Sequence, residues 1–561
     1  MPVTELDSAQ FANMLRGGYE NLKQNAARIN DLNVFPIPDG DTGSNMQMTF
    51  EGGIKALDGN SFDSLGGVSR SVAKGMLLSA RGNSGVILSQ LFEGIAKGFK
   101  DLETANINEI GSAFKCGVRQ AYDAVLTPTE GTILTVSREA ADYACSRIND
   151  GCTLESFMND YAAEMRRSLE RTPELLNVLK EAGVVDSGGA GLVAITEGMI
   201  SSLSGDNISE TQISDTHSAT SAPDLDLFTE DSVMEFGYCT EFLLRLQKCK
   251  TDIESFELST IKGYLETVGN SIVALQNGTI VKVHVHTMEP GKVLNYCQQF
   301  GEFLTLKIEN MSLQHNGVKA AEEHKSDDIK PAPEKSDRKK FGIVAVASGD
   351  GLKNTFSEFG ADVVIDGGQT MNPSSDDFIK AFDKVNAEVC FVFPDNSNII
   401  LAARQAAELY KDSEIRVIES KNIGEGYAAL SMIDFTSGDK DVIEQNFKDA
   451  MTGITTGMIS RSVRDARIGK VDVKKDQFIG ISGKKIIAAA DSKIDAALIT
   501  ADELLNGDAE NCEFIVAIYG KKSYNDEIEM LKEQMEKKHP SLEFYGIYGG
   551  QDVYDLILIF E

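Results

Sequence analysis

Apolar residues recur at three- and four-residue steps through the first third of this chain, the spacing at which side chains share one face of a helix. Phe11, Met14, Leu15, Tyr19, Leu22, Ala26 and Ile29 form the first such face, and Asp7 or Ser8 stands where an N-cap belongs. The same period returns at Val68, Val72, Met76 and Leu77, and again at Val86, Ile87, Leu88, Leu91, Phe92 and Ile95. It continues through Phe114, Val118, Ala121, Tyr122 and Val125, through Phe157, Tyr161, Met165 and Leu169, and after Gly188-Gly189-Ala190-Gly191. Residues 1–203 therefore read as an all-helical domain. From 204 to 231 Ser, Thr, Asp and Asn dominate and large apolar residues are few, which predicts a solvated linker.

The period then shortens. Runs around Glu235–Leu244, Ser271–Leu275 and Thr279–His286 are rich in β-branched and aromatic residues, with helical patterns between and after them, so 232–315 reads as a small α+β domain. Residues 316–340, rich in Lys, Glu, Asp and Pro, predict a second, charged linker. From 341 to 561 apolar runs alternate with helix-length segments. Phe341–Ala347, Ala361–Asp366, Glu388–Phe393 and Ile415–Glu419 have the rhythm of a parallel α/β sheet, and Lys484–Ala490 and Glu513–Tyr519 suggest a second α/β half. Gly349-Asp350-Gly351 follows a strand but lacks the third glycine of a dinucleotide fingerprint, so it reads as a strand-to-helix turn.

At 561 residues the chain exceeds what one core supports, in keeping with several domains. Lys and Arg number 54 against 86 Asp and Glu, a net charge of −32, which speaks against a nucleic-acid or anionic-membrane surface. ATP remains compatible with such a chain, because charges beyond about 8 Å are screened and a bound Mg²⁺ dominates its local field. No apolar run is long enough for a membrane span and the first residues lack signal-peptide character, so a cytoplasmic protein without membrane insertion is expected. The eight cysteines are scattered, as reduced thiols are; Cys249 and Cys297 are expected in the core.

Candidate chemistry concentrates in Asn33-Val-Phe-Pro-Ile-Pro-Asp39-Gly-Asp41-Thr42-Gly43-Ser44-Asn45-Met46. Two prolines stiffen the approach, Asp39 and Asp41 offer hard oxygens of the kind Mg²⁺ takes alongside phosphates, and Thr42, Ser44 and Asn45 add neutral hydrogen-bonding groups. Read by itself, this stretch is equally an Asp-Gly turn and a metal–nucleotide site. Three further glycine loops punctuate the helical domain: Arg81-Gly82-Asn83-Ser84-Gly85, Glu130-Gly131-Thr132 and Asp186-Ser187-Gly188-Gly189-Ala190-Gly191. Each alone is an ordinary helix connection; gathered at one end of a bundle they would form a phosphate-binding rim of helix starts, with hydroxyls from Ser84 and Thr132. No G-x-x-x-x-G-K-[ST] occurs, which excludes a P-loop kinase. In the middle domain His284-Val285-His286 puts two imidazoles on one strand face, with Cys239 on an earlier strand as a third candidate. That set suits Zn²⁺, and equally describes two strand histidines near a core cysteine.

Four of these stretches, Asn33–Met46, Ala80–Ile87, Glu130–Val136 and Val185–Leu192, resemble the ATP-binding subunit of bacterial fatty acid kinase, and the resemblance extends over essentially the whole chain. It implies a helical barrel like the L subunit of dihydroxyacetone kinase, holding ATP with two Mg²⁺ through clustered aspartates. Asp39 and Asp41 match two of these; the third has no match here, and Asn33 lies near. Asn33, Thr42, Gly43, Ser44, Asn45, Asn83, Ser84, Gly85, Thr132 and Asp186 become the expected nucleotide-binding set. The resemblance further implies Zn²⁺ on Cys239, His284 and His286, a homodimer, and a C-terminal domain of the DegV-like or dihydroxyacetone kinase K-type fold, carrying Asp366-Gly-Gly-Gln-Thr-Met-Asn-Pro373, that serves assembly and acceptor docking. The implied reaction is ATP-dependent phosphorylation of a fatty acid carboxylate presented by a separate DegV-like carrier, giving acyl phosphate. Two alternatives stand beside it. One is a dihydroxyacetone kinase, against which His539 is the sole histidine from Phe341 onward whereas that family holds its substrate on a histidine; the other is a non-catalytic scaffold sensing nucleotide or lipid.

Overall fold

The computed structural model describes residues 3–33, 40–60, 62–125, 127–203, 238–253, 256–277, 279–310, 338–368, 372–462, 465–468, 471–483, 485–507, 509–510, 512–523 and 525–561. Asp39, the expected linker 204–231 and most of 316–340 lie outside these. The helical and C-terminal domains form one compact unit and the middle domain belongs to a second.

In the helical domain the described residues form α1 (Ser8–Leu32), α2 (Thr42–Lys55), α3 (Leu65–Ser79), α4 (Gly82–Gly98), α5 (Ile107–Asp123), α6 (Ile133–Ser146), α7 (Leu154–Leu175), α8 (Asn177–Ala182) and α9 (Ser187–Leu203), plus a short antiparallel pair, β1 (Glu5–Leu6) and β2 (Ala105–Asn106). Helix α1 starts where the sequence places it: Asp7 accepts from the Gln10 N–H and the Gln10 side chain answers to the Asp7 N–H. Its predicted apolar face, from Phe11 to Ile29, is buried throughout. α1 and α9 approach backbone to backbone, for a Cβ on Gly198 would lie 2.2 Å from the Gly17 carbonyl oxygen.

The middle domain is an antiparallel sheet of β3 (Tyr238–Leu246), β4 (Gly269–Asn277), β5 (Ile280–Thr287) and β6 (Gly301–Asn310), in the order β4-β5-β3-β6, with α10 (Ser259–Val268) and α11 (Pro290–Cys297). Phe242, Leu244, Val281, Val283 and Val285 pack on Ile261 and Leu265 of α10 and on Val293 and Cys297 of α11. Two sequence expectations change here. The stretch after β5 is helical only through α11; Leu304, Leu306 and Ile308 then alternate with Thr305, Lys307 and Glu309 at the strand period, and β6 pairs along β3. Cys297 is a core residue as expected, but Cys249 is exposed in the turn after β3.

The C-terminal domain opens with a parallel sheet in which the four predicted runs become β7 (Lys339–Ala347), β8 (Val363–Asp366), β9 (Ala387–Phe393) and β10 (Glu414–Val417), ordered β10-β9-β7-β8. Gly349, at φ 95°, makes the expected turn into the helix Asp350–Phe359. The second half brings β11 (Thr455–Arg461), a small hairpin of β12 (Ala466–Ile468) and β13 (Val471–Val473), then β14 (Phe478–Ser482), β15 (Lys485–Ala490), β16 (Phe514–Tyr519), β17 (Glu543–Tyr548) and β18 (Leu556–Phe560). β18, fully buried, pairs antiparallel with both β11 and β16. Strand order in the parallel sheet turns back between β7 and β9, the position where ligands of open α/β sheets collect at the carboxyl ends of the strands.

The helical domain meets this sheet through Ala80 and Val86, which share an apolar cluster with Val344, Val346, Phe378 and Phe382. Because Gly17 and Gly198 leave no room between α1 and α9, Gly198→Val is expected to destabilise the helical domain by about 1–3 kcal/mol through overpacking. Denaturant unfolding followed by far-UV circular dichroism checks this, and an unchanged midpoint contradicts it.

Candidate nucleotide site

Helices α1, α3, α5 and α7 each begin with a side chain, Asp7, Ser64, Asn106 or Thr153, that accepts a hydrogen bond from the first turn. Helices α2, α4 and α6 begin at Asp41, Arg81 and Thr132 with no such bond. The Ser44 N–H of α2 and the Ile133 N–H of α6 are taken by Asn30 and Asp186, and the other first-turn N–H groups carry the positive end of the helix dipole, which suits an external anion. These starts are neighbours. Ser187, opening α9, donates to the Thr42 hydroxyl at 3.2 Å, and Gly82, at φ 57°, lies so close to Asn45 that a Cβ would come within 2.6 Å of its Nδ2. Asp186 accepts from the Gly189 N–H at 2.7 Å and from the Ile133 N–H, joining the starts of α9 and α6.

The rim is assembled by local packing. The Ser44 N–H donates to Asn30 Oδ1 at 3.1 Å and Asn30 Nδ2 donates to the Ser44 hydroxyl at 2.9 Å, so α2 is pinned to α1. Gly43 lies against the Ala26 carbonyl and Gly85 against the Thr49 hydroxyl, contacts too close for any side chain. The Arg81 N–H donates to Thr49 Oγ1 at 3.2 Å, which fixes the start of α4 beside α2. Asn83 Nδ2 lies 3.4 Å from Asn398 Oδ1, Ser84 is half-buried beside it, and the Thr132 hydroxyl donates to the Thr129 carbonyl at 2.7 Å. Asn33 ends α1 with its N–H on the Asn30 carbonyl at 3.0 Å.

Asp41 is the centre of the rim and is only 8% exposed. Its Oδ2 accepts from Asn372 Nδ2 at 2.5 Å, and Asn45 also bonds the carboxyl. Burial pushes the Asp41 carboxyl above its usual range, and the two amides only partly offset that. A desolvated carboxylate among hydroxyl and amide oxygens is a donor set suited to a hard divalent cation. Among the described residues there is no cluster of three or more His, Cys, Asp or Glu placed to hold a metal. The sequence shows Arg81 only as the opening of a glycine loop and Asn372 only within the Asp366–Pro373 stretch, and neither these nor Asn30 stands in the expected nucleotide-binding set. Asn372 carried a local signal, the Pro373 that follows it and holds it extended, but nothing in the sequence connects it with Asp41.

In the middle domain only backbone register bears on the second expected site. Cys239 on β3 is paired with His286 on β5, and His284 stands two residues earlier on β5. The buried positions 240, 242 and 244 of β3 and 281, 283 and 285 of β5 alternate with these, which places 239, 284 and 286 on the opposite face of the sheet.

Family models match three successive stretches: the DAK2 domain over residues 36–201, the FakA-like middle domain of fatty acid kinase over 235–318, and the FakA-like C-terminal domain over 342–561. Protein YloV of Bacillus subtilis is 38% identical over 565 residues, covering 100% of both chains. A dihydroxyacetone kinase from C. freundii, solved with AMP-PNP and Mg²⁺, aligns with 36% of this chain and 35% of its own at 17% identity and a TM-score of 0.29. DegV, a fatty acid binding protein from Bacillus subtilis, aligns with 40% of this chain and 100% of its own at 12% identity and a TM-score of 0.30. Among the described residues no helix is long and apolar enough to cross a membrane.

Burial also raises the Asp186 carboxyl, to about 6. A carboxyl raised on folding stabilises the protein in its protonated form, fully below its unfolded value near 4, and that contribution is lost as pH rises through about 6. In nucleotide-free protein the melting-temperature difference between wild type and Asp186→Asn is therefore expected to move against the wild type between about pH 4 and 6.5. A pH-independent difference contradicts the shift.

Proposed function

The chain belongs to the FakA-like family of fatty acid kinase proteins, and on that premise we propose that it is the ATP-binding subunit of a kinase whose acceptor is a fatty acid carboxylate presented by a separate DegV-like carrier. The observation that carries the reading is the buried Asp41 carboxylate at the start of α2, with the start of α4 beside it and the starts of α9 and α6 joined to it through Ser187 and Asp186. In this reading the N–H groups there hold the phosphates of ATP, with Asn33, Thr42, Gly43, Ser44, Asn45, Asn83, Ser84, Gly85, Thr132 and Asp186 around them. Asp41 and Asp39 hold two Mg²⁺, which when bound neutralise charge on the transferring phosphoryl group. A carboxylate oxygen of the fatty acid attacks the γ-phosphorus in line, the bond from that phosphorus to the bridging oxygen breaks, and ADP leaves with the electron pair. No residue of the rim is required as a base, because the nucleophile arrives ionised. The N–H groups and Asp41 act by positioning and charge alone.

The same reading gives a homodimer and places Zn²⁺ on Cys239, His284 and His286. The pairing of Cys239 with His286, and their common face with His284, support that metal set. Metal analysis tests it: wild type is expected to carry about one zinc per chain and His286→Ala to lose it, whereas zinc-free wild type counts against the site.

Purified chain, ATP, Mg²⁺, a fatty acid and its carrier are expected to give acyl phosphate, trapped as the hydroxamate. Asp41→Asn is expected to lower turnover at least about a hundredfold while circular dichroism and carrier binding stay unchanged. Normal turnover in that variant would sink the assignment, and bound ATP without any product in the wild type would favour a scaffold.

A further inference from the structure

Asn372 belongs to the C-terminal α/β domain by sequence and to the nucleotide rim by contact. It is 1% exposed, and its Nδ2 donates to Asp41 Oδ2 at 2.5 Å across 331 residues of chain. Its main chain is tied down on the same side: Arg81 donates from its guanidinium to the Asn372 carbonyl at 2.7 Å, and the Ser375 N–H donates to the Ala80 carbonyl at 3.2 Å. Arg81 also lies 3.4 Å from Asp377, whose carboxylate accepts from the Ser374 N–H and hydroxyl. Four consecutive residues, Asn372 to Ser375, are thus held against the start of α4.

We infer that Asn372 is a positioning residue of the Mg²⁺–nucleotide site, fixing the Asp41 carboxylate in the orientation a metal requires, so that the C-terminal domain completes a site otherwise built by the helical domain. The inference rests on the metal–nucleotide reading of Asp41. Docking of the two domains does not explain the contact, because it is supplied elsewhere. Ala80 and Val86 sit in the apolar cluster of the parallel sheet, and Gln405 accepts from Ser89 and Gln90 while donating to the Leu77 carbonyl. An apolar pair would serve packing better than a buried amide against a buried carboxylate. The second amide atom points the same way: Asn372 Oδ1 is buried and finds no donor among the described residues, the condition of an oxygen kept for an electropositive ligand. An amide holding one carboxylate oxygen sets the direction of the carboxylate, as the hydrogen-bonding partners of metal ligands commonly do.

The test is a Mg²⁺ titration of the full chain with a non-hydrolysable ATP analogue, read by calorimetry. Asn372→Ala is expected to raise the Mg²⁺ concentration for half-saturation about 10–100-fold, with nucleotide binding in EDTA unchanged. Asn372→Ser, whose hydroxyl stops short of Asp41, is expected to show the same shift and stands in if the alanine variant does not fold. Gln405→Ala, which weakens the same domain contact about 10 Å along α4, is expected to leave the Mg²⁺ midpoint where it is. An unshifted midpoint in both Asn372 variants, or an equal shift in Gln405→Ala, overturns the inference while leaving the nucleotide site standing. Absence of Mg²⁺-dependent nucleotide binding in the wild type overturns both.

Discussion

A carboxylate taken out of water must be met by donors or by a cation, and Asp41 is met by two amides that only partly answer its burial. Much of the surrounding architecture follows from that constraint. α2 has to begin at Asp41 without a cap of its own, α1 has to hold that beginning through Asn30 and Ser44, and α4 has to start beside it on a glycine with positive φ. The capped helices of the domain start without this demand, and their first turns satisfy themselves.

Local periodicity carried most of the fold. The α1 face from Phe11 to Ile29, the four parallel strands and the Gly349 turn depend on neighbours a few residues away, and all were legible. What escaped depends on distant partners. β6 has a strand's alternation but lies just past α11, so its short apolar run merges with the helical pattern unless its pairing with β3 is known. Cys249 departs from expectation for a related reason: residue type favours the core, while a turn between strand β3 and the next element exposes it.

The candidate site divides along the same line. Glycine loops and helix starts could be read singly, and their residues do meet: Thr42 with Ser187, Asn45 with Gly82, Asp186 with Ile133. The share contributed by the α/β domain could not be read. An asparagine before proline is ordinary local chemistry, and only the tertiary fold places it on Asp41. The middle domain shows a smaller version of this separation, with Cys239 and His286 far apart in the chain and paired in register.

The 331-residue span between Asp41 and Asn372 also has a temporal side. Synthesis at roughly 5–20 residues per second leaves an interval on the order of 15–70 s between the emergence of the two residues. During that interval Asp41 lacks the amide that arrives with the last domain. The contact is thus completed only when Asn372 to Ser375 pack against the start of α4.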